Sequence, residues 1–154
     1  MKEIKAPNPV PSHWKVHPRP KYLFLSGSIE MGKAEKWQDK VVRLLKKTDW
    51  IILNPRRNDW DSSWIQDKKN RQFKQQVDWE LDGLEIADKV LIYFDPDTKS
   101  PITLLELGLV AHPLDKVIVV CPRGYWKKGN VDIVCERYGL AQAKSLNQAI
   151  QWLK

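Results

Sequence analysis

Val90-Leu-Ile-Tyr-Phe94, Asp95-Pro-Asp-Thr-Lys-Ser-Pro101 and Ile102-Thr-Leu-Leu-Glu-Leu-Gly-Leu-Val-Ala111 follow one another without a break. The first stretch is a short, uninterrupted apolar run, the pattern of a strand covered on both faces. The second is turn chemistry, with prolines and aspartates that end the strand. The third is apolar for the length of a helix, predicted from about Ile102 to His112, and Val117-Ile-Val-Val-Cys121 then forms another apolar run. Strand, turn, helix and strand in that order specify a parallel pair joined by a crossover helix.

The alternation continues outward. Tyr22-Leu-Phe-Leu-Ser26 is an apolar run closed by Gly27-Ser28, and Trp50-Ile-Ile-Leu53 is another, stopped by Asn54-Pro55. Between them Ala34, Trp37, Val41, Leu44 and Leu45 recur at helical spacing. Phe73, Val77, Leu81 and Leu84 predict a helix from about Lys69 to Ala87 with those four as its apolar stripe. Asn130–Tyr138 and Leu146–Leu153 have helical patterning, with a short strand near Ala141–Lys144. The prediction is an α/β domain over residues 21–154, flavodoxin-like or Rossmann-like. It has five parallel strands in the order 2-1-3-4-5, counted from Tyr22, and helices on both faces. Residues 1–20 hold Pro7, Pro9, Pro11, Pro18 and Pro20, a density that forbids a helix and predicts an extended arm, disordered or wrapped on a neighbour.

At 154 residues the chain suits one domain. It has no apolar run long enough to span a bilayer and no readable signal peptide, so a cytoplasmic protein is expected, without membrane contact. Cys121 and Cys135 lack metal-ligand spacing and read as buried thiols, and no metal is expected. The net charge of +7 is spread over several segments, which argues against a dedicated nucleic-acid surface and suits a small polar or anionic ligand. Eight tryptophans are a costly way to fill a core, and indole faces stack well on bases, although most of the eight read as structural.

In this fold class ligands bind outside the carboxyl ends of the strands where the order reverses. That rule points to Gly27-Ser28 and to Asp95–Ser100. Glu106 is the only charge in the apolar helix that starts there. A buried carboxylate is costly without a purpose, although a glutamate complementing the helix N-terminus is the ordinary alternative. Glu80, within Asp78-Trp-Glu-Leu-Asp82, lies beside the predicted stripe, on what is either a solvated face or a second carboxylate turned toward the cleft. Two carboxyls are what glycosidic-bond chemistry requires, one to attack the anomeric carbon and one to move a proton. The loop from Asn54 to Ser63 offers Trp60 for stacking and Asp59 to accept from base amino groups, with Arg56 and Arg57 available to a phosphate.

Five segments carry a resemblance in order. They are Gly27-Ser28, Trp79-Glu-Leu-Asp-Gly-Leu-Glu-Ile-Ala-Asp88, Val90–Phe94, Ser100-Pro-Ile-Thr-Leu-Leu-Glu-Leu-Gly108 and Gly129-Asn-Val-Asp-Ile133. Together they resemble the nucleoside 2-deoxyribosyltransferase family over about Tyr22 to Tyr138. The resemblance implies that the Glu-Leu-Gly glutamate, Glu106, attacks C1′ of a 2′-deoxynucleoside. The base leaves, and a second base takes the sugar from the covalent deoxyribosyl-glutamate, with no cofactor. It further implies that Glu80 is the acidic residue of the preceding helix, where the family more often has Asp. Asn130, accompanied by Asp132, would bind the sugar 5′-hydroxyl of a neighbouring subunit, so a homo-oligomer with shared sites is expected. An N-cap is the ordinary reading of Asn130.

Two positions depart from the transferase pattern. The first strand lacks the family's tyrosine, with Leu23 and Phe24 nearest, so help for Glu106 must come from elsewhere. Ser100 stands where transferases often have Asp and resembles the related deoxynucleotide N-glycosidases, which use serine near a 5′-phosphate. Base exchange is therefore the leading expectation, hydrolysis of a 2′-deoxynucleoside 5′-monophosphate the alternative, and a non-catalytic nucleotide- or nucleic-acid-binding module the third.

Overall fold

A computed structural model describes residues 1–10, 18–29, 34–112 and 114–154. Pro11 and the centre of the expected arm lie outside the described residues. The sheet has six parallel strands: β1 (Lys2–Lys5), β2 (Tyr22–Gly27), β3 (Ile51–Asn54), β4 (Lys89–Tyr93), β5 (Val117–Val120) and β6 (Ala141–Ala143), in the order β1-β3-β2-β4-β5-β6. The expectation of five strands in the order 2-1-3-4-5 is corrected by the strand at the front, taken from the proline-rich segment. Lys2 to Lys5 pair with Ile51 to Asn54, and Ala6 N–H donates to Asn54 O at 3.1 Å. The physical reason is that the prolines begin at Pro7, so the preceding residues keep every N–H a ladder needs. The strand is short and carries Lys2 and Lys5, which suits an edge position.

Successive residues along β2 alternate between two cores, which is why the run is apolar throughout. Tyr22 and Phe24 face Trp79 and Leu84 of α2 (Arg71–Ile86), Leu107 and Val110 of α3 (Pro101–Val110), and Val131 and Cys135 of α4 (Lys128–Tyr138). Leu23 and Leu25 face Trp37 and Val41 of α1 (Trp37–Leu44) and Ala149 and Ile150 of α5 (Leu146–Trp152). Full burial of such side chains contributes roughly 1.5–3 kcal/mol each, enough to set the register strand by strand.

The face that α2 buries differs from the predicted stripe. Its buried residues are Gln76, Trp79, Gly83 and Leu84, whereas Leu81 is 41% exposed. Gly83 explains the rotation: a Cβ there would lie 2.6 and 2.7 Å from the Phe24 ring, so only glycine lets the helix rest on β2 at this point. The same rotation turns Gln76 and Glu80 inward. Asn70 caps the helix, its side chain accepting from Phe73 N–H at 3.0 Å.

Candidate active site

The order reverses across β2 and β4, whose ends pair as Ser26 with Ile92 and Gly27 with Tyr93. Gly27 has φ 153°, and a Cβ on it would stand 2.4 Å from Tyr93 O, so the strands can meet this closely only at glycine. Beyond it, Ser28 N–H donates to Tyr93 O at 3.0 Å, carrying the ladder one residue further. The end of β2 thus sets Ser26, Gly27 and Ser28 beside the segment from Asp95 to Ser100 that follows β4.

Ser28, Thr98 and Ser100 form a buried hydroxyl cluster. Ser28 Oγ lies 2.5 Å from Ser100 Oγ, Thr98 Oγ1 lies 2.8 Å from Ser28 Oγ and 2.7 Å from Ser100 Oγ, and Asp95 N–H donates to Ser28 Oγ at 2.9 Å. Ser100 holds a left-handed conformation, φ 46° and ψ 54°, at the N-cap of α3, with Pro101 opening the helix. A serine there costs roughly 1 kcal/mol, a backbone strain of the kind that collects at functional sites.

Glu106 is the sixth residue of α3, past the first turn, so complementing the helix dipole does not account for it. It faces inward with Thr103, Leu107 and Val110, and is 8% exposed. Ser26 Oγ donates to Glu106 Oε2 at 2.7 Å. Burial pushes the Glu106 carboxyl from its ordinary 4.5 up to about 8, with a further push from Glu80, while the Ser26 hydrogen bond pulls it down.

Glu80 is half-buried as a residue, but its carboxyl sits deep enough that burial raises it to about 7, against the pull of a hydrogen bond from Gln76. That bond runs from Gln76 Nε2 to Glu80 Oε1 at 2.9 Å. The structure thus brings together two carboxyls whose charges influence one another. No salt bridge to a cation relieves either of them among the described residues. A pair in that setting shares protons near neutral pH, the range that acid–base work requires.

The loop after β3 differs in detail from its sequence expectation. Arg57 is buried rather than open to a phosphate: Nε and Nη2 donate to the two Asp59 oxygens at 2.8 Å each, and the guanidinium lies 4.8 Å from the Trp64 ring centroid. Asp59 is exposed on its outer side, and Arg57 holds its carboxyl below the usual range. Trp60 meets Trp64 edge-on at 5.1 Å, and its buried indole N–H has no partner among the described residues. Arg56 donates to Ala34 O and Glu35 O, tying this loop to the segment before α1.

Among the described residues no hydrogen bond joins Asn130 or Asp132 to these groups. Lys127 is the N-cap of α4, so Asn130 stands inside the helix and is exposed. Asp132 takes Lys128 Nζ at 2.7 Å and Gln142 Nε2 at 2.6 Å. Among the described residues no three His, Cys, Asp or Glu side chains converge as a metal would require, and no helix is long and apolar enough to cross a membrane.

Ser26 and Gln76 are the site residues that sequence reasoning missed. Ser26 had one legible signal, as a serine ending an apolar strand at the expected crevice. Gln76 had none, being a glutamine in a polar run.

The profile of the nucleoside 2-deoxyribosyltransferase-like family matches residues 20–125, which include β2 to β5, both carboxylates and the hydroxyl cluster. The chain belongs to the nucleoside 2-deoxyribosyltransferase-like family. Among solved structures this family member is similar to a CMP N-glycosidase of Clostridium botulinum, at 15% identity and a TM-score of 0.57, over 86% of this chain and 97% of that one. At that identity the likeness is one of fold. No curated protein matches the chain in sequence.

Proposed function

We propose that this protein transfers 2-deoxyribose between nucleobases, with Glu106 as the attacking carboxylate and Glu80 as its proton partner. The observation that carries the reading is the pair itself, two buried carboxyls raised to about 8 and about 7 at the crevice of a nucleoside-processing family.

In the first half-reaction a Glu106 oxygen bonds to C1′, the C1′–N bond breaks with its electron pair passing to the base, and Glu80 gives its proton to that base. In the second, a nitrogen of the incoming base bonds to C1′, the ester C1′–O bond breaks, Glu106 is released as carboxylate, and Glu80 takes the proton back. Ser26 occupies Oε2, which leaves Oε1 for the sugar. A 2-deoxy sugar suits this chemistry because the oxocarbenium-like transition state is less destabilised without an electron-withdrawing 2′-hydroxyl. Neither a metal nor an organic cofactor is required. In this reading Trp60 and Asp59 meet the base, and Gly27 and Ser28 lie under the sugar.

The partner subunit's Asn130 and Asp132 would complete the sugar site in a homo-oligomer. Support comes from apolar side chains left outside, since Ile102, Leu105 and Leu109 line the outer face of α3 and Ile133 that of α4, each more than half exposed. Such side chains in number mark a surface that is covered in an assembly.

A second reading, hydrolysis of a 2′-deoxynucleoside 5′-monophosphate with water as acceptor, is favoured by the Ser28–Thr98–Ser100 hydroxyls at the start of α3 and by the fold shared with a CMP N-glycosidase. One assay separates the two. Deoxyinosine with free adenine or cytosine yields new deoxynucleoside under the first reading. A deoxynucleoside monophosphate alone yields free base under the second, and that result without exchange sinks the first. Silence in both tubes, with steeply salt-dependent DNA binding, supports the binding module. Glu106→Ala is expected to abolish either reaction.

A further inference from the structure

Gln76 lies one turn before Glu80 on α2 and is buried. Its Nε2 donates to Pro55 O and to Glu80 Oε1, both at 2.9 Å, and its Oε1 accepts from Arg57 Nη1 at 3.4 Å. These partners fix the direction of the amide. A prolyl carbonyl can only accept and a guanidinium can only donate, so the flipped amide would set oxygen against oxygen and N–H against N–H. Glu80 Oε1 therefore faces a donor that cannot turn into an acceptor. Arg57 is itself held by both oxygens of Asp59 and by the Trp64 ring.

Resting on the reading that Glu80 moves the proton, we infer that Gln76 is a positioning residue for that proton. It reserves Glu80 Oε1 as an acceptor, so proton exchange with the base runs through Oε2, and the Arg57–Asp59 pair keeps the amide in this orientation. A neutral Glu80 with its proton on Oε1 would set an O–H against the Gln76 N–H, which leaves Oε2 as the only favourable site. The same donation offsets part of the cost of ionising a buried carboxyl. A group that must give a proton in one half-reaction and recover it in the other works best near the operating pH. The charged groups that bear on Glu80 from packed elements are Glu106 of α3 directly, and Arg57 with Asp59 of the loop after β3 through Gln76.

The test is a carbon-NMR titration of the glutamate side chains in the free, full-length protein, alongside the pH dependence of base release. Gln76→Leu is expected to move the Glu80 titration up by about one unit, and Gln76→Lys, a pure donor, to move it down. Arg57→Met, which frees the amide to flip, is expected to move it up by less and covers the case in which a Gln76 variant does not fold. A Glu80 titration unmoved in folded Gln76→Leu and Arg57→Met overturns the inference, whatever the reaction proves to be. A shifted titration with an unshifted pH–rate profile supports the placement of the proton and instead removes Glu80 from the reaction.

Discussion

Ser26 at the end of β2 donates its hydroxyl hydrogen to Glu106 Oε2 at 2.7 Å, joining two residues eighty positions apart. It is the contribution that β2 makes to the carboxylate in a chain that has Leu23 and Phe24 nearest the place of the family's tyrosine. Because the bond favours ionised Glu106, Ser26→Ala is predicted to raise the pH at which the carboxylate forms. The acid limb of the pH–rate profile should move up by about one unit, with roughly tenfold less activity at pH 7 and a smaller deficit at pH 9. A uniform loss at all pH values would show that Ser26 serves packing alone.

Glu106 also makes stability depend on pH. Its folded-state value is about 8 against an ordinary 4.5, so below pH 4.5 it is neutral in both folded and unfolded chains. Between those values the unfolded chain releases a proton that the folded chain keeps, and stability falls as pH rises. Glu106→Gln is predicted to match the wild type near pH 4.5 and to exceed it increasingly up to pH 9, by on the order of 3 kcal/mol. Urea unfolding at three pH values measures the gap, and a constant gap contradicts the prediction.

Gly83 sets how closely α2 approaches Phe24. The prediction for Gly83→Ala is a loss of about 1–3 kcal/mol as the helix is pushed off β2, although alanine is otherwise the better helix former. Glu80, one turn away, moves with the helix, so activity should fall further than the fraction unfolded explains. Thermal melts paired with activity below the transition would detect this. A more stable variant would overturn it.

Ser100 combines a left-handed backbone with a buried hydroxyl. Ser100→Gly and Ser100→Ala both remove the hydroxyl, but only glycine relieves the backbone. Ser100→Gly is predicted to be about 1 kcal/mol more stable than Ser100→Ala. If the hydroxyl cluster receives a 5′-phosphate, both variants lose activity on a monophosphate relative to the nucleoside by the same factor. Equal stabilities, or unequal losses, would contradict this account.

The amino-acid sequence by itself determined the alternation of strand and helix from Tyr22 onward, the reversal of strand order at β2 and β4, and Glu106 as a lone charge in an apolar helix. These are legible because periodicity and turn chemistry are local, and because one carboxylate among leucines stands out against its neighbours. Lys2–Lys5 was not legible as a strand. Its residues are mostly polar, and it extends only because β3 offers an open edge. The buried face of α2 was misjudged because Gly83 has no side chain to register in an apolar pattern, yet its fit against Phe24 sets the rotation of the helix. Only the tertiary structure decided that Ser26 holds Glu106, that Gln76 holds Glu80, and that Asp59 is bound to Arg57. Each of these is a hydrogen bond whose meaning depends on burial, and burial is a property of the packed whole rather than of any residue's neighbours in the chain.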